Sequence, residues 1–177
     1  GELGVEAAGL SILVSNELVQ NRCDIYRENY PSVCNICGDI WEKEDEIIAA
    51  WKERCNEAPF LVYATPPCQG MSSNGAGKLL NEIRKGNRKP DDPRNRLVIP
   101  TMHIVKILRP VWMLLENVPT MSNTVIRDEN GEYINIIDYI QRELGDEYVG
   151  VASVVNCADY GIPQMRKRLI TIFTRSE

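Results

Sequence analysis

Phe60-Leu61-Val62-Tyr63-Ala64-Thr65-Pro66-Pro67-Cys68-Gln69-Gly70 is the stretch that decides the fold. The apolar run Phe60 to Ala64 stops at two prolines and reads as a short buried strand that opens onto a Gly/Ser/Asn-rich loop. The pattern recurs at Val111 to Leu115, which follows Pro110 and runs into Glu116-Asn117-Val118. Between the two, Leu97 to Leu108 carries apolar residues at 97, 98, 99, 104, 105 and 108, a helical stripe that Pro110 halts. Upstream, Ser11 to Ser15 reads as a strand and Val19 to Arg27 as a helix. Downstream, Ile134 to Leu144 is a helix, and Val149 to Val155 and Leu169 to Phe173 are strands open to antiparallel pairing. Strands alternating with helices predict an α/β fold with a doubly wound, mostly parallel sheet.

The 177 residues, 44% hydrophobic and 25% charged, suit a globular domain with a real core. No run approaches the roughly 18 apolar residues needed to cross a bilayer. Glu2 and Glu6 stand where a secretory signal would carry basic residues. No membrane association is expected. The six cysteines are spread through a chain of a size that needs no staples, which points to a reducing, intracellular setting. Cys34-Asn-Ile-Cys37 has the spacing of half a zinc site, but no second pair accompanies it and His103 is the sole histidine. No metal is expected. A net charge of -5 and an isoelectric point of 5.1 argue against a free-standing nucleic-acid binder. Lys78 to Arg96 runs against that balance, with seven basic residues and three acidic ones. By composition alone it is a solvated loop, although its length, from Gly75 to Pro93, suits a mobile functional segment.

In doubly wound sheets, ligands gather at the carboxyl ends of the strands. Asn16-Glu17, Thr65 to Gln69 and Glu116-Asn117 share that rim. Glu17 can accept two ribose hydroxyl hydrogen bonds, or simply favour a helix N-terminus. Asp39 and Ile40 can supply a polar contact and an apolar wall to an adenine, or be an ordinary turn. Cys68 is stiffened by Pro66 and Pro67, as a nucleophile requires. Its thiol, with an ordinary pKa near 8.5, is strongly nucleophilic once ionised, and neighbouring arginines would favour ionisation. A carboxyl at Glu116 can protonate or hydrogen-bond a substrate while a nucleophile adds elsewhere on it. Arg166 and Arg168, two apart in an extended segment, can share one face and point multidonor forks at oxygen atoms.

Pro66-Pro67-Cys68-Gln69, Asp92-x-Arg94-x-x-Leu97, Glu116-Asn117-Val118 and Asp159-Tyr160-Gly161-Ile162-Pro163-Gln164-x-Arg166-x-Arg168 occur in that order. Together they resemble the cytosine-C5 DNA methyltransferase family over nearly the whole chain. The resemblance implies a sheet of the S-adenosylmethionine-dependent methyltransferase type and a partial catalytic domain over residues 1–177, with a mobile catalytic loop at about 70–96. It implies S-adenosylmethionine as cofactor, with Glu17 at its ribose, Asp39 and Ile40 at its adenine, and Pro67 in the same pocket. Cys68 resembles the nucleophile that adds to cytosine C6, Glu116 the carboxyl beside N3 and N4, and Arg168 the arginine directed to O2. By the same resemblance, Arg166 would orient the nucleophile loop and Gln164 would support that segment. Ser72 resembles a phosphate-contacting serine, and Asn156 an asparagine preceding Asp159. The target cytosine would be flipped out of duplex DNA, with the basic 78–96 segment closing over the backbone. A noncatalytic regulatory homologue and an RNA cytosine methyltransferase are the alternatives.

Measured against the family, both ends look incomplete. The strand and aromatic/Gly-rich cofactor loop expected before Gly4 are missing, as are the target-recognition domain and the segment that completes the cofactor pocket. A complementary polypeptide or missing domain is therefore expected to supply target recognition. The isolated chain is expected to be weak or inactive. The setting would be the nucleus in a eukaryote, and the cytoplasm or nucleoid in a bacterium.

Overall fold

The computed structural model describes residues 1–67 and 93–176. Cys68, Ser72 and most of the loop expected over 70–96 lie outside the described residues. Its last residues, 93–96, belong to a 3-10 helix, Pro93–Leu97, in which Asn95 is buried. The chain divides into two units, Gly1–Ala58 and Pro59–Glu177.

The first unit runs α1 (Glu2–Ala7), β1 (Val14–Glu17), α2 (Gln20–Asn29), β2 (Cys34–Cys37) and α3 (Ile40–Arg54). β1 and β2 pair in parallel, with Val14 opposite Cys34 and Glu17 opposite Cys37. That pairing draws the strand later in the chain than the 11–15 expected from the apolar run, and makes Glu17 its last residue. Helix α3 was not expected. It is dense in charge, and only Ile47, Ile48 and Ala50 are buried, too thin a stripe to stand out by periodicity. Its ends are well formed. Asp39 accepts the Trp41 N–H at 3.1 Å, and Lys52 and Arg54 in the last turn suit the helix dipole.

The second unit runs β3 (Leu61–Ala64), α4 (Val98–Leu108), β4 (Trp112–Asn117), β5 (Val125–Arg127), β6 (Tyr133–Asn135), α5 (Ile136–Leu144), β7 (Tyr148–Asn156) and β8 (Lys167–Arg175). Its main sheet has the order β3-β4-β8-β7. β3 and β4 are parallel, and β8 and β7 continue antiparallel. The mixed sheet fits the α/β expectation and the antiparallel pairing anticipated near the end. Met113 and Leu115 of β4 and Leu169 and Phe173 of β8 bury against Val98, Ile99, Met102 and Val105 of α4 and Tyr139, Ile140 and Leu144 of α5. Pro100 is tolerated in α4 because it falls in the first turn, where its missing N–H has no helical partner anyway. Asn135 caps α5 by accepting the Ile137 N–H at 2.8 Å, so the helix begins at Ile136 and the preceding residues become β6.

The β5–β6 hairpin turns on Asp128, 2% exposed. One carboxylate oxygen accepts the N–H groups of Asn130 and Glu132, both at 2.9 Å, and the other takes Arg142 at 2.9 Å. Burial would raise the Asp128 pKa, but Arg142 and the two backbone donors outweigh it and hold the carboxyl below its usual range. Gly131 sits at φ +86°, where a side chain is strained. Among the described residues no helix is long and apolar enough to cross a membrane.

Candidate functional site

The site in the second unit is built where two parallel strands end together. Ala64 lies opposite Leu115, so Thr65-Pro66-Pro67 leaves the sheet beside Glu116-Asn117. β4 alternates strictly: Met113, Leu115 and Asn117 are buried, while Trp112, Leu114 and Glu116 face the other way and remain partly exposed. Asn117 is thus a polar side chain at an apolar-face position, 2% exposed. Its Nδ2 donates to the Pro66 carbonyl at 3.1 Å, and its Oδ1 accepts the Val118 N–H at 2.8 Å. The amide ties the segment entering Cys68 to the strand that carries Glu116. Asn117 carries no role among the residues singled out from the sequence. The signal was available, because a polar residue in phase with Met113 and Leu115 must find buried partners.

Glu116 and Arg168 meet on the opposite face. The antiparallel register places Glu116 against Ile170, so Arg168 sits one diagonal step along the same face. Its Nε lies 2.7 Å from Glu116 Oε1, with side chains 18% and 25% exposed respectively. Arg168 Nη1 also donates to its neighbour's carbonyl, Lys167 O, at 2.7 Å, which limits the swing of the guanidinium. A carboxylate and a fixed fork of N–H donors therefore stand together at the sheet rim, partly open to solvent.

Gln164 and Arg166 belong to the loop that joins β7 to β8, and Asn156 is the last residue of β7. Asn156 Oδ1 accepts the Arg166 N–H at 3.0 Å, and the Cys157 N–H donates to the Arg166 carbonyl at 2.9 Å. Asn156 is thus a clamp across the base of the loop. Gln164 N–H turns back on Ile162 O at 2.7 Å, and the side chains of Gln164 and Arg166 are exposed.

In the first unit, Glu17 and Asp39 stand at the carboxyl ends of β1 and β2. Glu17 Oε1 accepts the Val19 N–H at 2.9 Å, and Oε2 lies 3.6 Å from Arg22. Asp39 caps α3, whose first residue, Ile40, is half-buried. Both carboxylates therefore support a helix start and retain acceptor capacity. Pro67, in the second unit, is exposed.

A family model described as C-5 cytosine-specific DNA methylase matches residues 1–177. The type II methyltransferase M1.HgaI of Avibacterium volantium is 33% identical over 96% of this chain and 45% of its own length. The type II methyltransferase M.AquIA of a Picosynechococcus strain is 31% identical over 98% of this chain and 67% of its own. Among solved structures, a DNA modification methyltransferase encoded in an E. coli prophage superposes with a TM-score of 0.71 at 24% identity. That match covers 98% of this chain and 42% of the other, and it establishes likeness of fold. The chain spans under half the length of the first of these relatives.

Proposed function

This chain belongs to the C-5 cytosine-specific DNA methylase family, and from that premise we propose that it carries the attack on cytosine in DNA: Cys68 adds to ring C6 and C5 becomes the carbon that takes a methyl group. Cytosine C5 is a poor nucleophile until a thiolate adds at C6 and breaks the aromaticity. Glu116, once it has taken up a proton from solvent, donates to N3 and Arg168 donates to O2, stabilising the negative charge that moves onto the ring. Loss of the C5 proton then expels the thiolate and restores the base. A cytosine must leave the duplex for either ring face to be reached. Asn156 keeps the loop that carries Arg166 in place, while Asn117 does the same for the entry to Cys68. The observation that carries this reading is the 2.7 Å Glu116–Arg168 pair beside the Pro66 segment.

S-adenosylmethionine fits the first unit by donor chemistry. Glu17 and Asp39 offer acceptors at adjacent strand ends, suited to ribose hydroxyls and an adenine amine, and Ile40 offers an apolar wall. When bound there, the cofactor supplies the electrophilic methyl group. The protein that carries this chain would act on DNA, with recognition of the target sequence lying in other segments or a partner.

The test is covalent trapping. DNA with 5-fluorocytosine at the target, incubated with S-adenosylmethionine and the protein that carries this chain, should yield a stable adduct because fluorine cannot leave as the proton does. Peptide mapping should place the linkage on Cys68, and Cys68→Ser should abolish it. Glu116→Gln should slow trapping by about 10²–10⁴ if general-acid assistance is the main loss. An adduct on another cysteine, or turnover by Cys68→Ser, would overturn the mechanism.

A further inference from the structure

β7 (Tyr148–Asn156) is the outer strand of the main sheet, hydrogen-bonded to β8 on one side and, among the described residues, to no strand on the other. Long bare edges invite pairing, and proteins ordinarily blunt them with charged side chains, prolines or short length. β7 carries none of these devices: it runs nine residues, Tyr-Val-Gly-Val-Ala-Ser-Val-Val-Asn, without a charge or a proline. Residues 149–154 are exposed, so neither face of that stretch is covered, and Val149, Val151 and Val154 are 58%, 62% and 49% exposed. The direction of its free backbone groups follows from the ladder. Just beyond its two ends, the Ser176 N–H donates to Glu147 O at 2.7 Å and the Cys157 N–H to Arg166 O at 2.9 Å. Bonded pairs alternate along an antiparallel ladder, so Val149, Val151, Ser153 and Val155 turn their N–H and C=O groups to β8. Gly150, Ala152 and Val154 turn theirs to the open edge.

We propose that this edge is a homodimer interface, in which β7 pairs antiparallel with β7 of a second copy about a two-fold axis through Ala152. Ala152 is the midpoint of the strand, so this register sets Ala152 against its own counterpart, Gly150 against Val154 and Val149 against Val155. Outward-facing groups thereby meet outward-facing groups, and each outward pair can exchange both N–H···O bonds. Side-chain size matches as well. A Cβ at Gly150 would collide with the Ile172 carbonyl, so the position must stay bare, and Val154 of the second copy fills the space beside it. No charge opposes its like along the paired stretch, because the stretch holds none. On a chain of net charge -5, it is a place where two copies can approach without carboxylates meeting. The product is one continuous sheet with four strands from each copy, an isologous interface that closes on itself. Ala152 and the open edge take no part in the chemistry assigned to Cys68, so the interface stands or falls independently of that reading.

The experiment is sedimentation velocity on the chain of residues 1–177, followed by residue-resolved amide exchange over the same concentration series. The mass should rise with concentration from 20.1 kDa to twice that value. Exchange should slow at Gly150, Ala152 and Val154, and much less at Val151 and Ser153, whose N–H groups are already turned to β8. Ala152→Lys sets two like charges against each other at the axis and should leave the chain monomeric, as should Ala152→Glu. An equimolar mixture of the two variants should regain the dimer. A chain that stays monomeric up to about 100 μM would overturn the proposal and leave the edge to a different strand. So would open-ended aggregation, a dimer in which exchange slows elsewhere than at the three outward residues, or a dimer undisturbed by Ala152→Lys. If neither variant folds, the mass and exchange pattern of the unsubstituted chain decide the matter.

Discussion

Asn117→Ala tests whether the end of β4 holds the entry to Cys68 in place. The substitution removes two hydrogen bonds, to Pro66 O at 3.1 Å and from Val118 N–H at 2.8 Å, at a side chain that is 2% exposed. Each contributes about 0.5–1.5 kcal/mol net, and a fully buried orphan would cost about 1–3 kcal/mol. Pro66 is only half-buried, so water can partly replace the lost donor, and the total should be about 2 kcal/mol. For a chain of this size, that corresponds to a fall in Tm of about 4–8 °C. Asn117→Asp keeps the volume and the acceptor for Val118 but turns an oxygen toward the Pro66 carbonyl, so it should melt at or below the Asn117→Ala value. Calorimetry on the chain gives the stability term. Trapping on 5-fluorocytosine DNA, below the melting transition, gives the positioning term, and both variants should slow it. A Tm within about 1 °C of the unsubstituted chain would refute the energetic reasoning. A lowered Tm with unchanged trapping would confine Asn117 to stability.

Two further perturbations test the scaffold around this site. Because Arg142 and two backbone N–H groups hold the Asp128 carboxyl below its usual range, its stabilising contribution is fully present above the unfolded value near 3.9 and is lost as pH falls through the folded value. The urea midpoint of the unsubstituted chain should therefore exceed that of Asp128→Asn at pH 6, with the gap closing toward pH 3; a constant gap would remove the ion pair as its source. Gly150→Ala should destabilise by about 1–3 kcal/mol, since the added methyl would collide with the Ile172 carbonyl and the Phe173 backbone across the β7–β8 pair. Gly4→Ala, whose methyl meets nothing within 4 Å, should cost nothing in the same urea titration.

The parts of this fold that were legible in the sequence are those in which burial dominates the residue choice. β3 and β4 read as strands because their apolar runs are bounded by prolines, and α5 because Ile136, Tyr139, Ile140 and Leu144 recur at helical spacing. α3 escaped because Glu, Lys and Asp fill its surface and three buried residues suffice to dock it. The β5–β6 hairpin escaped for a different reason: three-residue strands carry almost no periodicity, and their stability lies in the Asp128 side chain rather than in an apolar pattern. β1 was displaced because parallel pairing with β2, a nonlocal contact, fixes where the strand runs. The same division holds for the site. Glu116 and Arg168 were nameable one at a time, but only the β4–β8 register brings them to 2.7 Å.

That distance also bears on how a base could enter. A carboxylate and guanidinium in contact satisfy each other, so a substrate seated between them must first separate the pair. With side chains 18% and 25% exposed, the pair remains in reach of water, and ion pairs of that kind contribute about 0–1 kcal/mol net. Separating them is therefore a small cost. In the proposed reaction, the hydrogen bonds that replace the pair would run from Arg168 to a ring oxygen, charge-assisted, and from protonated Glu116 to a ring nitrogen, both shielded by the stacked base. Fully buried, the same pair would resist opening, because parting it would leave uncompensated charges away from water. Fully exposed, it would not hold Arg168 in position. On the proposed reading, partial burial at the rim would give a fork that is set in place before the base arrives and released at little cost when it does.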